Sequence, residues 1–342
     1  MKITVSGASG LIGGKLVARL RQRGDEVTAL SRSAGTDSPT WQWDPLAGPA
    51  PVGALAGQDA VVHLAGEPIG QRLSDEVKDR VRRSRVLGTR NLVEGLRATP
   101  EEQRSGVLVS SSGVAYYGPH GDEEVTEATP AGDTFLAKVS TEWEEEAAKA
   151  AEFGVRVVRI RTGVVLDASG GTLKSLLATY RTGMGGPIAG GAFFVPWIHI
   201  DDIVSLYAKA IDDASWSGAY NGTAPEPVTQ REFSKALGRA VHRPAFMPTP
   251  GFALRMVLGE MADGHHRPAR RPPPRARRWL RVHAPGPRRG TDRRAERPAA
   301  HTPDAESANS PSPLTLCSDL RRGIRFLGGG PRCEQPRPFL GR

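Results

Sequence analysis

Three glycines at regular spacing form the first candidate site in this sequence. Gly7, Gly10 and Gly13 belong to the segment Gly-Ala-Ser-Gly-Leu-Ile-Gly, which lies between a short apolar run and a segment with the apolar spacing of a helix. Glycine lets a backbone approach a pyrophosphate closely, and the amino end of a helix offers free N–H groups and a favourable dipole. A lone glycine pattern is weak evidence, but its place directly behind an amino-terminal strand favours a dinucleotide site over a purely structural turn.

The end of the second predicted strand indicates which dinucleotide would fit. In NAD enzymes this strand commonly ends in an acid that binds the ribose 2′-hydroxyl. Here the strand is followed by Ser31 and Arg32. A guanidinium can hydrogen-bond a 2′-phosphate, which favours NADP over NAD. A surface arginine after a strand is the structural alternative.

A third segment, His63-Leu64-Ala65-Gly66, closes a later strand with small residues. Small side chains at this place would let a bound cofactor lie against the backbone. We expect His63 itself to be packed within the strand rather than to take part in chemistry.

A parallel sheet is needed to bring these segments together. Strands are predicted at 2–6, 26–30, 59–64, 107–109 and 155–160, and helices at 11–23, 76–96 and 141–153. Alternating strands and helices are typical of a doubly wound α/β fold with a parallel sheet. We expect residues 1–171 to form the nucleotide-binding domain, with further core elements to about 223, and residues 172–263 to form a smaller, mostly helical substrate-binding part.

Charge divides the chain into two different parts. Residues 1–263 carry 28 Lys and Arg against 31 Asp and Glu, whereas residues 264–342 carry 18 Arg and no Lys against 6 acids. Because Cys317 and Cys333 are the only cysteines, a disulfide scaffold and a cysteine-based zinc site are excluded, and no metal site is predicted. No apolar run approaches the ~20 residues of a membrane helix and no signal peptide is recognised, so we expect a cytoplasmic protein.

Several motifs together resemble one known family. They are the glycine loop at 7–13, His63-Leu64-Ala65-Gly66-Glu67-Pro68-Ile69, Ser84-Arg85-Val86-Leu87-Gly88-Thr89, Tyr116-Tyr117-Gly118, Trp143-Glu144 and Pro196-Trp197-Ile198-His199-Ile200-Asp201-Asp202. The combination resembles the epimerase family proteins, which are atypical short-chain dehydrogenases/reductases related to the NAD-dependent epimerases and dehydratases. The resemblance implies a Rossmann-type fold and NADP(H) binding, and it leaves the substrate and the oligomeric state open.

The resemblance also implies a set of cofactor contacts. Arg80 and Arg85 match positions on the family's cofactor-facing helix, although Arg80 fits a solvated basic face equally well. Val165 matches a further contact. The full set of expected cofactor residues is Gly7, Ser9, Gly10, Leu11, Ile12, Gly13, Ser31, Arg32, Leu64, Ala65, Gly66, Arg80, Arg85 and Val165.

The usual catalytic pair of the wider superfamily is missing. That superfamily uses Tyr-x-x-x-Lys on one helix face, where the lysine charge lowers the tyrosine pKa. None of the five tyrosines has a lysine four residues later, and the corresponding region at 133–139 resembles the family's own version, which also lacks the tyrosine. In related epimerases the last serine of a run such as 110–112 orients the substrate carbonyl. Ser112 is therefore the candidate for that role, with Tyr116 or Tyr117 as acid or base; the equal alternative is a polar strand end followed by two packed rings.

Residues 264–342 depart from the family pattern. Read one base later, the codons for 266–274 can encode Thr-Gly-Gln-Arg-Val-Val-Pro, and those for 279–287 can encode Gly-Tyr-x-Phe-Thr-His-Pro-Asp-Leu, two motifs that family members carry at this place. We infer a one-base shift near Asp263 that replaces the family's closing segment with an Arg/Pro-rich tail, expected to be disordered. The functional alternative is nucleic-acid binding through the arginines, but the tail has no lysine and no recognisable binding module.

The sequence thus predicts an NADP(H)-dependent reductase or epimerase-like enzyme acting on an unknown small carbonyl or hydroxyl substrate. The alternative from another class is a non-catalytic NADP-binding sensor or scaffold, which the missing Tyr-x-x-x-Lys pair favours. Nucleic-acid binding through the basic tail is a weaker third hypothesis.

Overall fold

The computed structural model describes residues 1–33, 39–121 and 123–247. The inferred frame shift near Asp263, the basic tail with its two cysteines, and the last part of the predicted substrate-binding region lie outside these ranges. The tail and its proposed origin therefore stay predictions.

The described chain alternates strands and helices. In chain order the elements are β1 (Lys2–Ser6), α1 (Leu11–Gln22), β2 (Glu26–Ser31), β3 (Thr40–Gln42), α2 (Val52–Leu55), β4 (Ala60–His63), α3 (Asp75–Ala98), β5 (Val107–Gly113), α4 (Phe135–Ala148), β6 (Arg156–Thr162), β7 (Val164–Leu166), α5 (Gly171–Arg181), β8 (Phe194–Val195), β9 (Trp197–His199), α6 (Ile200–Asp212), β10 (Gly218–Gly222), β11 (Val228–Thr229) and α7 (Gln230–Ala240). Seven strands form one sheet in the order β10-β6-β5-β4-β1-β2-β3. All its neighbouring pairs are parallel, so the predicted Rossmann-type, doubly wound α/β fold is confirmed.

Helices cover both faces of this sheet. On one face, Leu16 and Leu20 of α1 and Ile203 of α6 pack against Ile3 and Val5 of β1, and all five side chains are fully buried. On the other face, buried side chains of α2 and α3 pack against β4, β5 and β6 in a second cluster. Each fully buried aliphatic side chain contributes roughly 1.5–3 kcal/mol by leaving water, so these two layers hold the strand ends in fixed positions.

The amino ends of the helices differ in whether a side chain caps them. Ser74, Thr134 and Thr229 each cap a helix by accepting a hydrogen bond from a backbone N–H of its first turn. Helix α1 has Gly10 at this position and no side-chain cap. The first N–H groups of α1 are therefore not satisfied by a capping side chain, as an anion-binding helix end requires.

Two predicted elements differ from those observed. Helix α4 starts at Phe135 rather than at 141, because the Thr134 hydroxyl accepts from the Ala137 N–H and nucleates the helix earlier. Residues 149–153, predicted as helical, form a separate 3-10 turn. Strand β5 continues through the serine run to Gly113, since pairing with β6 compensates for the low strand preference of these polar residues.

Residues 172–247 contribute to two cores. Helices α5 and α7 enclose a third cluster that includes Leu173, Leu177, Trp197, Phe233 and Leu237. Helix α6 and strand β10 instead belong to the main sheet and its helical layer. The boundary at 171/172 stays a prediction. Within the described ranges, no helix is long and apolar enough to cross a membrane.

Replacement of Gly95 by alanine should destabilise the fold although alanine is the better helix former. A Cβ at Gly95 would lie 2.5 Å from the Ala50 carbonyl oxygen. We expect Gly95→Ala to lower the free energy of unfolding by about 1–3 kcal/mol. The matched control is Gly14→Ala in α1, where the nearest atom lies at 3.7 Å and a gain of about 0.5–1 kcal/mol is expected. Urea denaturation measures both changes, and equal gains would contradict the close contact between α3 and Ala50.

Candidate active site

A cleft of about 810 Å³ opens at the carboxyl edge of the sheet. It lies around the ends of β1, β2 and β4, where a doubly wound sheet binds its ligand. Its lining residues are Ser6, Gly7, Ala8, Ser9, Gly10, Val17, Arg21, Ala29, Leu30, Ser31, Arg32, Ser33, Thr40, Trp43, Asp44, Pro45, Leu46, Leu64, Ala65, Gly66, Glu67, Pro68, Arg80 and Ser84.

The glycine loop forms the centre of the cleft through close backbone contacts. Gly7 has a φ of +71°, and a Cβ there would lie 2.7 Å from the carbonyl carbon of Leu64. A Cβ on Gly13 would lie only 2.1 Å from the Gly7 carbonyl oxygen. The Gly10 N–H donates to that same oxygen at 3.0 Å and closes the turn. The loop therefore has no room for side chains at Gly7 and Gly13, and it presents backbone and the uncapped end of α1 to a ligand.

The β2 end of the cleft carries hydroxyls and a cation. Ser31 Oγ accepts a hydrogen bond from the Ser33 N–H at 3.2 Å, and the Arg32 carbonyl accepts from Gln42 Nε2 at 3.2 Å. Arg32 and Ser33 are both exposed at the cleft. This end thus combines a positive charge with hydroxyl donors, which suits a phosphate rather than a bare ribose hydroxyl.

The loop between β4 and α3 forms another wall, and Glu67 anchors it to α3. The Glu67 N–H donates to Ser84 Oγ at 3.0 Å, and its carbonyl accepts from Arg85 Nη1 at 3.0 Å. Its carboxylate lies 3.3 Å from Gln71 Nε2 and 3.9 Å from Arg80 Nε. Helix α3 therefore fixes the position of this wall through both backbone and side-chain bonds.

Arg85 of α3 is a partly buried cation that bonds the same loop. Its guanidinium lies over the Trp143 ring at 5.3 Å and also donates to the Val81 carbonyl at 3.3 Å. Burial lowers the pKa of Arg85 to about 10, and the charge of Glu67 partly opposes this shift. A Cβ at Gly66 would lie 3.5 Å from the guanidinium carbon, so Arg85 packs close to Gly66, which lines the cleft.

The fold brings most of the expected cofactor residues together. Those that line the cleft are Gly7, Ser9, Gly10, Ser31, Arg32, Leu64, Ala65, Gly66 and Arg80. The others do not line it: Leu11, Ile12 and Val165 pack against the main core, Gly13 packs against Gly7, and Arg85 packs against Gly66. Their roles as cofactor contacts stay predictions.

Sequence reasoning missed one wall of the cleft. Trp43, Asp44, Pro45 and Leu46 line it directly after the short strand β3. The Trp-Asp-Pro turn could have indicated this wall, but only if a strand had been predicted directly before it. Because β3 has just three residues, alternation of apolar and polar positions could not reveal it.

His63 supports the floor of the cleft from within the sheet. It is fully buried in β4, as expected, and its Nδ1 lies 2.6 Å from the Oγ of Ser6. Burial lowers the pKa of His63 to about 4, so the ring is neutral at pH 7. Ser6 lines the cleft, and the Trp43 ring, which also lines it, lies 6.5 Å from the imidazole.

Ser112 lies outside this cleft in a buried ionic network. It is 3% exposed, and its hydroxyl donates to Glu144 Oε1 at 2.7 Å. Arg161 binds the same carboxylate with two bonds, from Nε at 2.8 Å and from Nη2 at 2.9 Å. Burial alone would lower the pKa of Arg161, but the bonds and charge of Glu144 raise it above its ordinary value.

Both tyrosines lie beside Arg161, and their rings also contact each other edge to face with centroids 5.3 Å apart. The Tyr117 hydroxyl donates to Asn221 Oδ1 at 2.7 Å and accepts from Arg161 Nη1 at 2.9 Å. Burial raises the pKa of Tyr117, although Arg161 acts in the opposite direction. The Tyr116 ring lies 3.5 Å from the guanidinium carbon and lines a separate hollow of about 380 Å³. The hydroxyl protons of Ser112 and Tyr117 are thus both directed at protein acceptors, and catalytic roles for these three residues stay predictions.

Comparison with known proteins places this geometry in a family. A family model described as the NAD dependent epimerase/dehydratase family matches residues 3–221. The chain belongs to this family. The human epimerase family protein SDR39U1 is 38% identical over 263 residues, which cover 76% of this chain and 87% of the relative. The chloroplastic homolog of Arabidopsis thaliana is 38% identical over 268 residues, 77% of each chain.

The resemblance seen in the motifs is therefore confirmed. A solved structure of human SDR39U1 (isoform 2) with NADPH is also similar, with a TM-score of 0.69 and 35% identity over 77% of this chain and 88% of that chain. Within the described ranges, no group of three or more His, Cys, Asp or Glu residues is placed to hold a metal ion.

The buried His63 should make stability pH-dependent. Since its pKa is about 4 in the fold against an ordinary 6.5, the unfolded chain binds the extra proton first as the pH falls. The contribution of neutral His63 is therefore complete above pH 6.5 and lost towards pH 4, by about 3 kcal/mol in all. Urea unfolding of His63→Asn should show a shallower loss over this range, while His120→Asn, at an exposed position, should follow the unaltered protein. Parallel curves for all three would contradict this assignment.

The network around Glu144 should depend on both charged partners. We expect Arg161→Met to lower the free energy of unfolding by about 3–5 kcal/mol, because it leaves a buried carboxylate without its cation. The double variant Arg161→Met/Glu144→Met should regain much of that loss. Arg90→Ala, which removes a half-exposed partner of Glu146, should cost about 0–1 kcal/mol and is the control. Chemical denaturation measures these free energies of unfolding. Equal losses of stability in the single and the double variant would contradict the pairing of Arg161 with Glu144.

Proposed function

We propose that this chain binds NADP(H) and acts as an atypical reductase or epimerase-like enzyme on a small carbonyl or hydroxyl substrate. The observation that carries the proposal is the glycine cradle at the uncapped end of α1, beside Ser31 and Arg32 in one cleft. The NADPH found with human SDR39U1 supports the same assignment.

The cleft fits a dinucleotide at its phosphate centre. A Cβ at Gly7 or Gly13 would overlap backbone, so both positions keep the loop tight against β4. A pyrophosphate beside this loop would receive N–H groups of the first turn of α1 and the positive end of its dipole. Ser9 and Gly10, both exposed, form the part of the loop that faces the cleft.

The two ends of the cleft suit the other parts of the ligand. Apolar side chains of Leu30, Trp43, Leu46 and Leu64 line it and would pack against a base. At the β2 end, Arg32 stands where NAD-binding proteins commonly have an acid. A 2′-phosphate there would gain a charge-assisted hydrogen bond, which favours NADP(H) over NAD(H).

Bound NADP(H) would supply hydride chemistry. Among this chain's residues, Arg161 holds Glu144, and Glu144 in turn holds the Ser112 proton. A substrate hydroxyl can donate to the Ser112 oxygen with this bond intact, whereas a substrate carbonyl needs the Ser112 proton to turn away from Glu144. Tyr116 is better placed than Tyr117 to act as acid or base, because the Tyr117 proton already bonds Asn221.

A non-catalytic NADP(H)-binding sensor or scaffold is the second candidate. It is favoured by the burial of Ser112, by the engaged hydroxyl of Tyr117, and by the missing Tyr-x-x-x-Lys pair. Consumption of NADPH with a panel of aldehydes and ketones separates the two. Turnover with any member supports the enzyme, and binding without turnover across the panel supports the sensor.

Cofactor preference should change when the charge at the β2 end is reversed. We expect Arg32→Asp to weaken NADPH binding at least tenfold, since a charge-assisted bond is lost and a repulsion is added, and to leave NADH binding within about threefold. Titration with nicotinamide fluorescence as the readout measures both affinities in the full chain. The control is Arg83→Asp, on α3 and outside the cleft lining. If neither nucleotide binds the unaltered chain, the proposed function is wrong.

A further inference from the structure

A second arginine, Arg21 in the last turn of α1, lines the same cleft as Arg32. We propose that Arg21 of α1 is a further specificity-determining residue, whose guanidinium binds the 2′-phosphate of NADP(H) together with Arg32. The inference rests on the proposed function, because it concerns the same cleft and the same ligand. It names a residue that the glycine pattern and the β2 terminus do not indicate.

Arg21 belongs to the cleft by position. Val17 and Arg21 are one helical turn apart on α1, and both line the cleft with Ala29 and Ser31 of β2. Ala29 and Ser31 alternate along the strand and therefore face the same side of the sheet. Val17 and Val27 pack in the core cluster on that side, so it is the side on which α1 lies.

The direction of α1 makes its side chains lean towards the β2 end of the cleft, where the 2′-phosphate would bind. A crossover helix between parallel strands runs antiparallel to them, so the amino end of α1 lies at the carboxyl edge of the sheet. Side chains on a helix lean towards its amino end. The long side chain of Arg21 therefore extends towards the end of β2, where Ser31 and Arg32 lie, and the small Ala29 leaves space on that path.

The neighbouring arginines of α1 point elsewhere. Arg19 Nη1 donates to Ser205 Oγ of α6 at 2.6 Å. Arg23 pairs with Asp25 at 2.6 Å and with Asp212 of α6 at 2.5 Å. Of Arg19, Arg21 and the C-cap residue Arg23, Arg21 is the one that lines the cleft, and Arg19 provides a matched control.

The charge of the ligand fits two arginines better than one. A phosphomonoester carries about −1.5 to −2 charges at neutral pH. Arg32 alone would leave roughly one of these charges without a protein cation, whereas Arg21 and Arg32 together match it. The hydroxyls of Ser31 and Ser33, at the same end of the cleft, would complete the donors around the phosphate oxygens.

Paired nucleotides that differ in the 2′-phosphate test the inference. NADPH and NADH are titrated into the unaltered chain, Arg21→Ala, Arg21→Lys and Arg19→Ala, and 2′,5′-ADP and 5′-AMP are titrated in competition. We expect Arg21→Ala to weaken NADPH and 2′,5′-ADP roughly tenfold, with NADH and 5′-AMP within about twofold. The NADPH affinity of Arg21→Lys should lie between those of the unaltered chain and Arg21→Ala, because lysine keeps the charge but lacks the paired N–H donors of the guanidinium. Arg19→Ala should match the unaltered chain.

Two results overturn the inference and leave the proposed function standing. Equal weakening of NADPH and NADH by Arg21→Ala would mean that Arg21 only shapes the cleft. An unchanged NADPH to NADH preference in both Arg21 variants would mean that its guanidinium does not reach the phosphate. A failure of the unaltered chain to bind NADPH would instead overturn the proposed function and this inference with it. Circular dichroism and urea midpoints of each variant establish that the compared proteins are folded.

Discussion

The contact between the glycine loop and the end of β4 is the constraint on which the site depends. Gly7 touches the Leu64 backbone, and Gly13 brings α1 down onto Gly7, with no space for a side chain at either position. This contact fixes where the uncapped end of α1 points. Helix α1 also carries Leu16 and Leu20 into the main core. The same helix therefore sets both the glycine-loop part of the cleft and the packing of the sheet.

A second constraint operates at the other side of the sheet. Glu144 of α4 and Arg161 of β6 form a buried ion pair with two hydrogen bonds. Ser112 bonds Glu144, Tyr117 bonds Arg161, and Asn221 bonds Tyr117. Replacement of both partners of a buried ion pair by apolar residues often leaves the free energy of unfolding unchanged, whereas removal of one partner lowers it strongly. This ion pair therefore fixes the relative positions of β5, β6, β10 and α4, and β5 carries Ser112.

The sequence was informative where function is carried by backbone and local pattern. The glycine loop, the β2 terminus and the strands β1, β2, β4, β5 and β6 follow from spacing and apolar runs, and they are predicted within a few residues. Strand β3 and the cleft wall at Trp43 were not, because a three-residue strand is defined by its pairing with β2 rather than by its own residues. The bonds of Ser112 and Arg161 to Glu144 join residues 32 and 17 positions apart, and spacing alone could not indicate them.

Cofactor binding, the first part of the proposed function, depends on local backbone features. Chemistry, the second part, depends on side chains that are far apart in the sequence. Binding at the glycine loop would use an uncapped helix end and a cleft that are already formed. Use of Ser112 as a donor to a carbonyl needs the loss of a charge-assisted hydrogen bond to Glu144, about 1.5–3 kcal/mol, and access to a buried hydroxyl. A substrate that donates its own hydroxyl to Ser112 avoids the first of these costs but not the second. Access to Ser112 therefore distinguishes the two proposals: an enzyme that uses Ser112 requires it, and a sensor does not.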